Sequence, residues 1–210
     1  DEEGHCIDGQ HRCWAIDQCQ KTIKMLVGFN VPHDSYKFLD RGAIRTNSDV
    51  LGYAGYHRTV LLATVLKMVK SQEAGNVRYY LKIHNSQIEE ALKAHPKVQN
   101  SIDFVVQQKY HKGFIPQSSC AFLHYFFAKK HKEQADDFIH KLLSGENMKS
   151  NEMLYKLRQR FLDCITSKKK FSRFDKLVWC VRVWNAIIQG RDLKFIRCDN
   201  CDDVELPKIL

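Results

Sequence analysis

Apolar residues along this chain follow two patterns. From about residue 47 onward they recur every third or fourth position, which is the spacing of one face of a helix. Residues 22–31 instead form one short run of apolar, β-prone residues that ends at Pro32. The first pattern predicts a series of helices, and the second predicts a strand.

Capping residues and glycines divide the helical part into separate elements. Ser86 to Glu89 is typical of a capping box, Pro96 suits the first turn of a helix, and Gly145 and Gly190 suit helix ends. The predicted helices cover residues 12–20, 47–53, 58–70, 86–94, a stretch after Pro96 that reaches Val106, 117–129, 133–143, 151–164 and 174–189. In the last of these, the helical repeat predicts a core position for residues such as Leu177 and Trp184.

The predicted fold is α+β and predominantly α. A turn at residues 1–4 and a returning strand at residues 5–7 join the predicted strand 22–31 in a small α/β front end, residues 1–46. Residues 47–210 are predicted to form a helical domain that ends in a long helix and a short C-terminal strand.

Composition and charge narrow the class of partner. The 210 residues carry 33 Lys and Arg against 24 Asp and Glu, a net charge of +9. This excess favours nucleic acid or another polyanion as partner, with solubility alone as the alternative. No apolar run approaches the roughly 20 residues that cross a bilayer, so no membrane partner is predicted.

The eight cysteines are irregularly spaced, which favours reduced thiols over a disulfide framework. Cys198 and Cys201 have the spacing of half a zinc site. A structural zinc ion needs four ligands, and no second pair stands nearby, so no metal site is predicted.

The motif Asp8-Gly9-Gln10-His11-Arg12 is the strongest candidate for chemistry. A glycine turn that leads into a helix gathers free backbone N–H groups, an imidazole and a guanidinium, which together suit a phosphate. The alternative is a structural turn in which Asp8 accepts backbone hydrogen bonds and Arg12 pairs with Asp17 or Asp40.

Beyond this pentapeptide, residues 39–51 (LDRGAIRTNSDVL), 138–145 (FIHKLLSG), 184–186 (WNA) and 195–197 (FIR) complete a recurring pattern. With it the chain resembles the uncharacterised ParB/sulfiredoxin-like proteins of bacteriophages and prophages. The resemblance implies a partial ParB/sulfiredoxin-like subdomain in residues 1–46 that lacks the N-terminal strands. It also implies a location in the cytoplasm of a bacterial host cell.

The resemblance further implies a nucleotide site. In ParB-like proteins a Gly-x-x-Arg element binds the phosphates of a cytidine nucleotide, and in sulfiredoxins a similar element binds ATP. Gly9 and Arg12 match this element, with Gln10 and His11 between them, so CTP or ATP with Mg²⁺ is the implied cofactor. Arg45, close to Asp40 in sequence, either lines the same pocket or belongs to an ion-paired loop.

Basic runs elsewhere suit a nucleic-acid backbone. Lys168, Lys169, Lys170 and Arg173 form the main cationic loop, and residues 129–132 form a second patch. Residues 47–70 loosely suit a helix-turn-helix, but the second helix is too apolar to present a recognition face.

Three function classes remain open. The first is a nucleotide- or DNA-associating binding protein of phage or mobile-element origin. The second is a metal-dependent nuclease or nucleotide hydrolase that uses Asp8, His11 and Asp40. The third is an interaction protein, such as an inhibitor of a host system, that binds no ligand. The first is favoured because cationic groups outnumber any convincing acid–base pair.

Overall fold

The computed structural model describes residues 1–37, 45–108, 114–166, 171–196 and 205–210. Two compact units make up the chain, Asp1–Thr46 and Asn47–Leu210. Every regular element in the described ranges is helical, and none of these residues forms a strand. The α+β prediction, with its ParB/sulfiredoxin-like α/β front end, is therefore wrong.

The first unit contains helix α1 (Gln10–Cys19) and a 3-10 helix (His33–Lys37). The predicted turn at the start is present, with the Gly4 N–H donating to the Asp1 carbonyl at 3.2 Å. Helix α1 buries none of its residues, and Trp14 is 66% exposed. Tyr36 is the one buried residue among those described in this unit.

Residues 22–31 are β-prone but adopt no regular structure. A strand exists only when a neighbouring strand accepts and donates its backbone hydrogen bonds. The described part of the unit supplies no such neighbour, so Leu26 and Phe29 are exposed instead of covered. The composition of residues 22–31 indicates β propensity, but propensity alone does not supply the neighbouring strand that a sheet needs.

The second unit packs helices around one apolar core. Its described helices are α2 (Asn47–Tyr53), α3 (Thr59–Glu73), α4 (Asn85–Ala94), α5 (Lys97–Gln107), α6 (Gln117–Phe127), α7 (Lys132–Ser144), α8 (Met153–Thr166) and α9 (Arg173–Ile188). Helix α6 is central, since all but two of its eleven residues are buried. Helix α3 is buried along most of its length, which agrees with the argument against a recognition helix.

Aromatic rings join α6, α7 and α9. The rings of Phe127 and Trp184 stack in parallel with centroids 4.2 Å apart, and Phe138 meets the Trp184 ring edge-on at 5.7 Å. Leu177 and Trp184 are each 1% exposed, so the core prediction for this helix is confirmed at those positions.

The end of the chain is held by side chains of α9. Asn185 donates from Nδ2 to the Lys208 carbonyl at 2.7 Å and accepts the Leu210 N–H at 3.2 Å. Phe195 and Ile196 form no strand, so the predicted short C-terminal strand is absent from the described residues. The Asn185 side chain thus holds residues 208–210 against α9.

Candidate functional site

The predicted glycine turn is present at Gly9. Its φ of 91° lies in the left-handed region, which a glycine adopts without strain, and α1 begins directly after it. The Arg12 guanidinium folds back over Gly9 and pairs with the Asp8 carboxylate at 3.2 Å. Arg12 nevertheless stays open, with 69% of its side chain exposed. The turn thus combines the expected geometry with an internal carboxylate that competes for the guanidinium.

A groove of about 510 Å³ lies beside this turn, between residues 4–9 and the apolar stretch 25–29. Asp8, Gly9 and Arg12 line it. Gln10 instead donates from Nε2 to the Cys6 carbonyl at 3.2 Å, and His11 is exposed on α1.

Arg45 is committed to the backbone of its own unit. It donates from Nη1 to the Tyr36 carbonyl at 2.7 Å and from Nη2 to the Ile7 carbonyl at 3.1 Å. Its position therefore stabilises the segment that precedes the glycine turn.

The metal-dependent candidate would use Asp8, His11 and Asp40. Asp40 lies outside the described residues, and Asp8 is held by Arg12. In the ranges that the structure describes, no group of three or more His, Cys, Asp or Glu side chains is placed to hold a metal ion. The cysteines Cys6, Cys13 and Cys19 are free and exposed, and Cys120 and Cys180 are free and buried.

Of the predicted cationic loop, Lys168, Lys169 and Lys170 lie outside the described residues, and Arg173 lies at the start of α9. Arg173 is partly buried instead of solvated. It donates from Nη2 to Ser118 Oγ at 2.6 Å and from Nε to Ser119 Oγ at 2.8 Å, and its guanidinium lies 4.9 Å from the centre of the Tyr80 ring. A second contact from Nη2 reaches Met68 Sδ at 3.1 Å.

The surroundings of Arg173 are unusual for an arginine that is partly removed from water. Charged side chains that leave water are normally paired with an opposite charge, but no carboxylate of the described residues pairs with this guanidinium. Burial lowers the pKa of Arg173 because desolvation disfavours the charged form. Its Nη1 group donates to no atom in the described part of the chain. Donor capacity therefore remains for an external anion.

Arg173 lines a groove of about 270 Å³ whose other wall is residues 77–80. We call this the Arg173 groove; Val77, Arg78, Tyr79, Tyr80, Ser172, Arg173, Phe174 and Leu177 line it. Asp175, in the first turn of α9, is engaged by the helix cap, since it accepts from the Ser172 N–H at 2.9 Å and from Ser172 Oγ at 2.7 Å.

Two hydrogen bonds fix the wall that carries the tyrosines. The Tyr79 N–H donates to Asn76 Oδ1 at 3.1 Å, and the Leu81 N–H donates to the buried Ser71 Oγ at 2.9 Å. Ser71 lies in α3 and donates to the Lys67 carbonyl, so the connection between α3 and α4 is attached to the core. The basic residues Arg78 and Lys82 and the two tyrosines between them thus lie on a loop whose backbone is fixed by hydrogen bonds.

Sequence reasoning selected Arg173 but missed its surroundings. The signal was available in Arg78-Tyr79-Tyr80-Leu81-Lys82, where basic and aromatic residues are interleaved. It was overlooked because the segment lies between two predicted helices. In the second basic patch, residues 129–132, one cation already contacts aromatic rings of the protein. Lys129 Nζ lies 4.6 Å from the centres of both the Tyr125 and Phe126 rings.

A serine–histidine–aspartate chain also occurs, in the interior of the second unit. His124 contacts Ser101 Oγ through Nδ1 at 2.9 Å and Asp136 Oδ1 through Nε2 at 2.7 Å. Ser101 is only 3% exposed, so a substrate has no route to its hydroxyl. These three hydrogen-bonded residues therefore connect α5, α6 and α7 as a structural network and offer no nucleophile.

Comparison of the chain with protein-family models, with curated proteins and with solved structures found no match. The resemblance to ParB/sulfiredoxin-like proteins thus stays a prediction. No helix in the described ranges combines the length and apolar character needed to cross a membrane. Among the described residues, the Arg173 groove and the Gly9 turn are two places where the geometry suggests a ligand.

Proposed function

We propose that this protein binds nucleic acid, and that the Arg173 groove holds a phosphate of the backbone. The observation that carries the proposal is the partly buried guanidinium of Arg173, which has two serine hydroxyls and a tyrosine ring as neighbours but no described carboxylate. The two N–H groups of Nη1 remain to donate to phosphate oxygens, and the guanidinium keeps its positive charge.

The charge of the whole chain supports the same function. A net charge of +9 attracts a polyanion from a distance, and the cationic run Lys168, Lys169 and Lys170 ends three residues before Arg173 in sequence. Arg78, on the opposite wall of the groove, adds a second guanidinium. Contacts of this kind bind the backbone without selecting a base sequence.

Fluorescence anisotropy with labelled DNA and RNA tests the proposal. Binding is expected to weaken steeply from about 50 to about 200 mM salt, and Arg173→Gln is expected to lower affinity by about tenfold or more. Arg173→Lys keeps the charge but loses the planar group that contacts both Ser118 and Ser119, so its affinity is expected to lie between those of the wild type and Arg173→Gln. Arg191→Gln removes the same charge from an exposed position that lines neither groove, and it serves as the matched control.

Two results would overturn this assignment: no binding to any nucleic acid at low salt, or wild-type affinity in Arg173→Gln. If Arg173→Gln does not fold, Arg78→Gln probes the groove from its other wall, and an unchanged affinity there contradicts the proposal equally.

The Gly9 turn supports a second candidate, nucleotide binding. A groove of about 510 Å³ next to Gly9 and Arg12 is the observation that favours it. Calorimetry with CTP and ATP, with and without Mg²⁺, is expected to show binding that Arg12→Ala removes while the fold stays intact. Equal binding in Arg12→Ala, or none in the wild type, would reject this candidate.

A further inference from the structure

Tyr79 differs from the other groove residues because its ring makes no contact with a ring or cation of the described residues. Its side chain is 64% exposed, although it lies on a loop that hydrogen bonds fix to α3. Tyr80, the next residue, is covered on one face by the Arg173 guanidinium at 4.9 Å. The groove therefore presents one open aromatic ring beside one cation with spare donors.

An open aromatic ring next to a phosphate-binding cation is the arrangement that proteins use for unpaired bases. Any base can stack on a tyrosine, while a neighbouring guanidinium holds the backbone. In a duplex the bases are stacked on each other, and their faces are closed to a side chain. The ring of Tyr79 can thus contribute only when the nucleic acid is single-stranded.

We infer that the Arg173 groove is a site for single-stranded nucleic acid, in which Tyr79 stacks on a base and Arg173 holds an adjacent phosphate. This inference rests on the proposed nucleic-acid binding and specifies its substrate. The groove, at about 270 Å³, has the scale of one nucleotide unit. Arg78 and Lys82 flank the two tyrosines in sequence, so further phosphates of the same strand meet positive charge on either side.

The test compares an oligothymidine of about 12 nucleotides with a duplex of equal length, at one salt concentration. The wild type is expected to bind the single strand at least tenfold more tightly. Tyr79→Ala is expected to lower single-strand affinity by about tenfold and to leave duplex affinity unchanged. Tyr79→Phe keeps the ring and is expected to retain the wild-type affinity.

Tyr56→Ala is the matched control, because Tyr56 is 41% exposed and lies outside the groove. Equal affinity of the wild type for both forms, or an unchanged single-strand affinity in Tyr79→Ala, would overturn the inference while phosphate binding by Arg173 still stands. No binding to either form would instead reject the proposed function itself. The three results are distinguishable in one set of titrations.

Discussion

Phe127 and Trp184 face each other with their ring planes 2° apart and their centroids 4.2 Å apart. Phe127 ends α6 and Trp184 lies in α9, so this pair joins two helices that are far apart in sequence. Both side chains are at most 1% exposed. Stacked rings that exclude water this fully are among the larger contributions to a core.

Removal of the Trp184 ring is expected to destabilise the protein strongly. Trp184→Ala leaves a cavity beside Phe127 and Phe138, and the free energy of unfolding is expected to fall by about 3–5 kcal/mol. Urea denaturation followed by circular dichroism measures this loss. Trp14→Ala, which truncates a ring that is 66% exposed, is the control and is expected to change stability by less than about 0.5 kcal/mol. A similar loss in both variants would show that the assignment of the core is wrong.

Helix positions could be predicted from the sequence where apolar residues recur at helical spacing or fill most of a segment. Residues 117–129 and 174–189 were expected to be helical, and the structure has Gln117–Phe127 and Arg173–Ile188. The periodicity that produces burial is local, so it is visible without knowledge of the partner helices. Boundaries moved by a few residues because capping depends on side-chain geometry.

The front unit and the groove could not be predicted in the same way. Residues 22–31 have the composition of a strand, but pairing depends on a neighbour that composition does not reveal. Arg173 looked like one more charge of a solvated loop, because its contacts with Ser118 and Ser119 cross more than fifty positions of sequence. Long-range contacts of this kind leave no local pattern.

The N-cap of α9 is expected to matter for stability. Ser172 Oγ accepts the Asp175 N–H at 3.1 Å, and Asp175 accepts the Ser172 N–H in return. Ser172→Ala removes the acceptor of the Asp175 N–H, and the free energy of unfolding measured by chemical denaturation is expected to fall by about 1 kcal/mol.

Ser86→Ala is the informative control for that experiment. The sequence suggested Ser86 as a cap, but α4 begins at Asn85 after His84, whose N–H donates to Gln87 Oε1 at 3.3 Å. A loss below about 0.5 kcal/mol is expected for Ser86→Ala. A larger loss than that of Ser172→Ala would contradict the observed caps.

Stability is expected to fall in mild acid because of His124. Burial lowers the pKa of His124 below its usual value of about 6.5, so the folded protein keeps this imidazole neutral. Below about pH 6.5 the unfolded chain takes up a proton that the folded chain does not, and the free energy of unfolding decreases until the pH passes the folded pKa. Thermal unfolding from about pH 7 to about pH 5 should show this loss.

His124→Gln is expected to reduce that pH dependence, because glutamine has no proton to gain. The lowered pKa of Asp136 acts in a separate window, where stability is lost only as the pH falls below about 3.8. Trp14→Ala changes no ionisable group and serves as the control. The same loss between neutral and mildly acidic pH in His124→Gln and wild type would contradict the role of His124.

Alanine substitutions at Gly145 and Gly190 allow the effect of backbone strain on stability to be distinguished from the effect of steric crowding. Gly145 ends α7 at φ 78°, and a Cβ there would lie 2.8 Å from the Arg158 guanidinium. Gly190 has φ 63° with open space around it. Both alanine variants pay the left-handed penalty of about 1–2 kcal/mol, and Gly145→Ala must also displace Arg158.

Gly145→Ala is therefore expected to be the less stable of the two variants in thermal unfolding. Arg158 packs over the Phe114 ring at 5.0 Å and donates weakly to the last carbonyls of α7, so its displacement has a cost. Equal midpoints for the two variants would show that Arg158 moves aside freely.

The exposure of residues 22–31 predicts where a protease first cuts the chain. Leu26 and Phe29 are almost fully open, and none of the described residues hydrogen bonds to the backbone of this stretch. Such a segment fits the cleft of a protease without prior unfolding. Brief digestion with chymotrypsin should therefore nick the chain here first and leave the aromatic interior intact, which offers crystallographers a trimmed fragment that still carries the Arg173 groove.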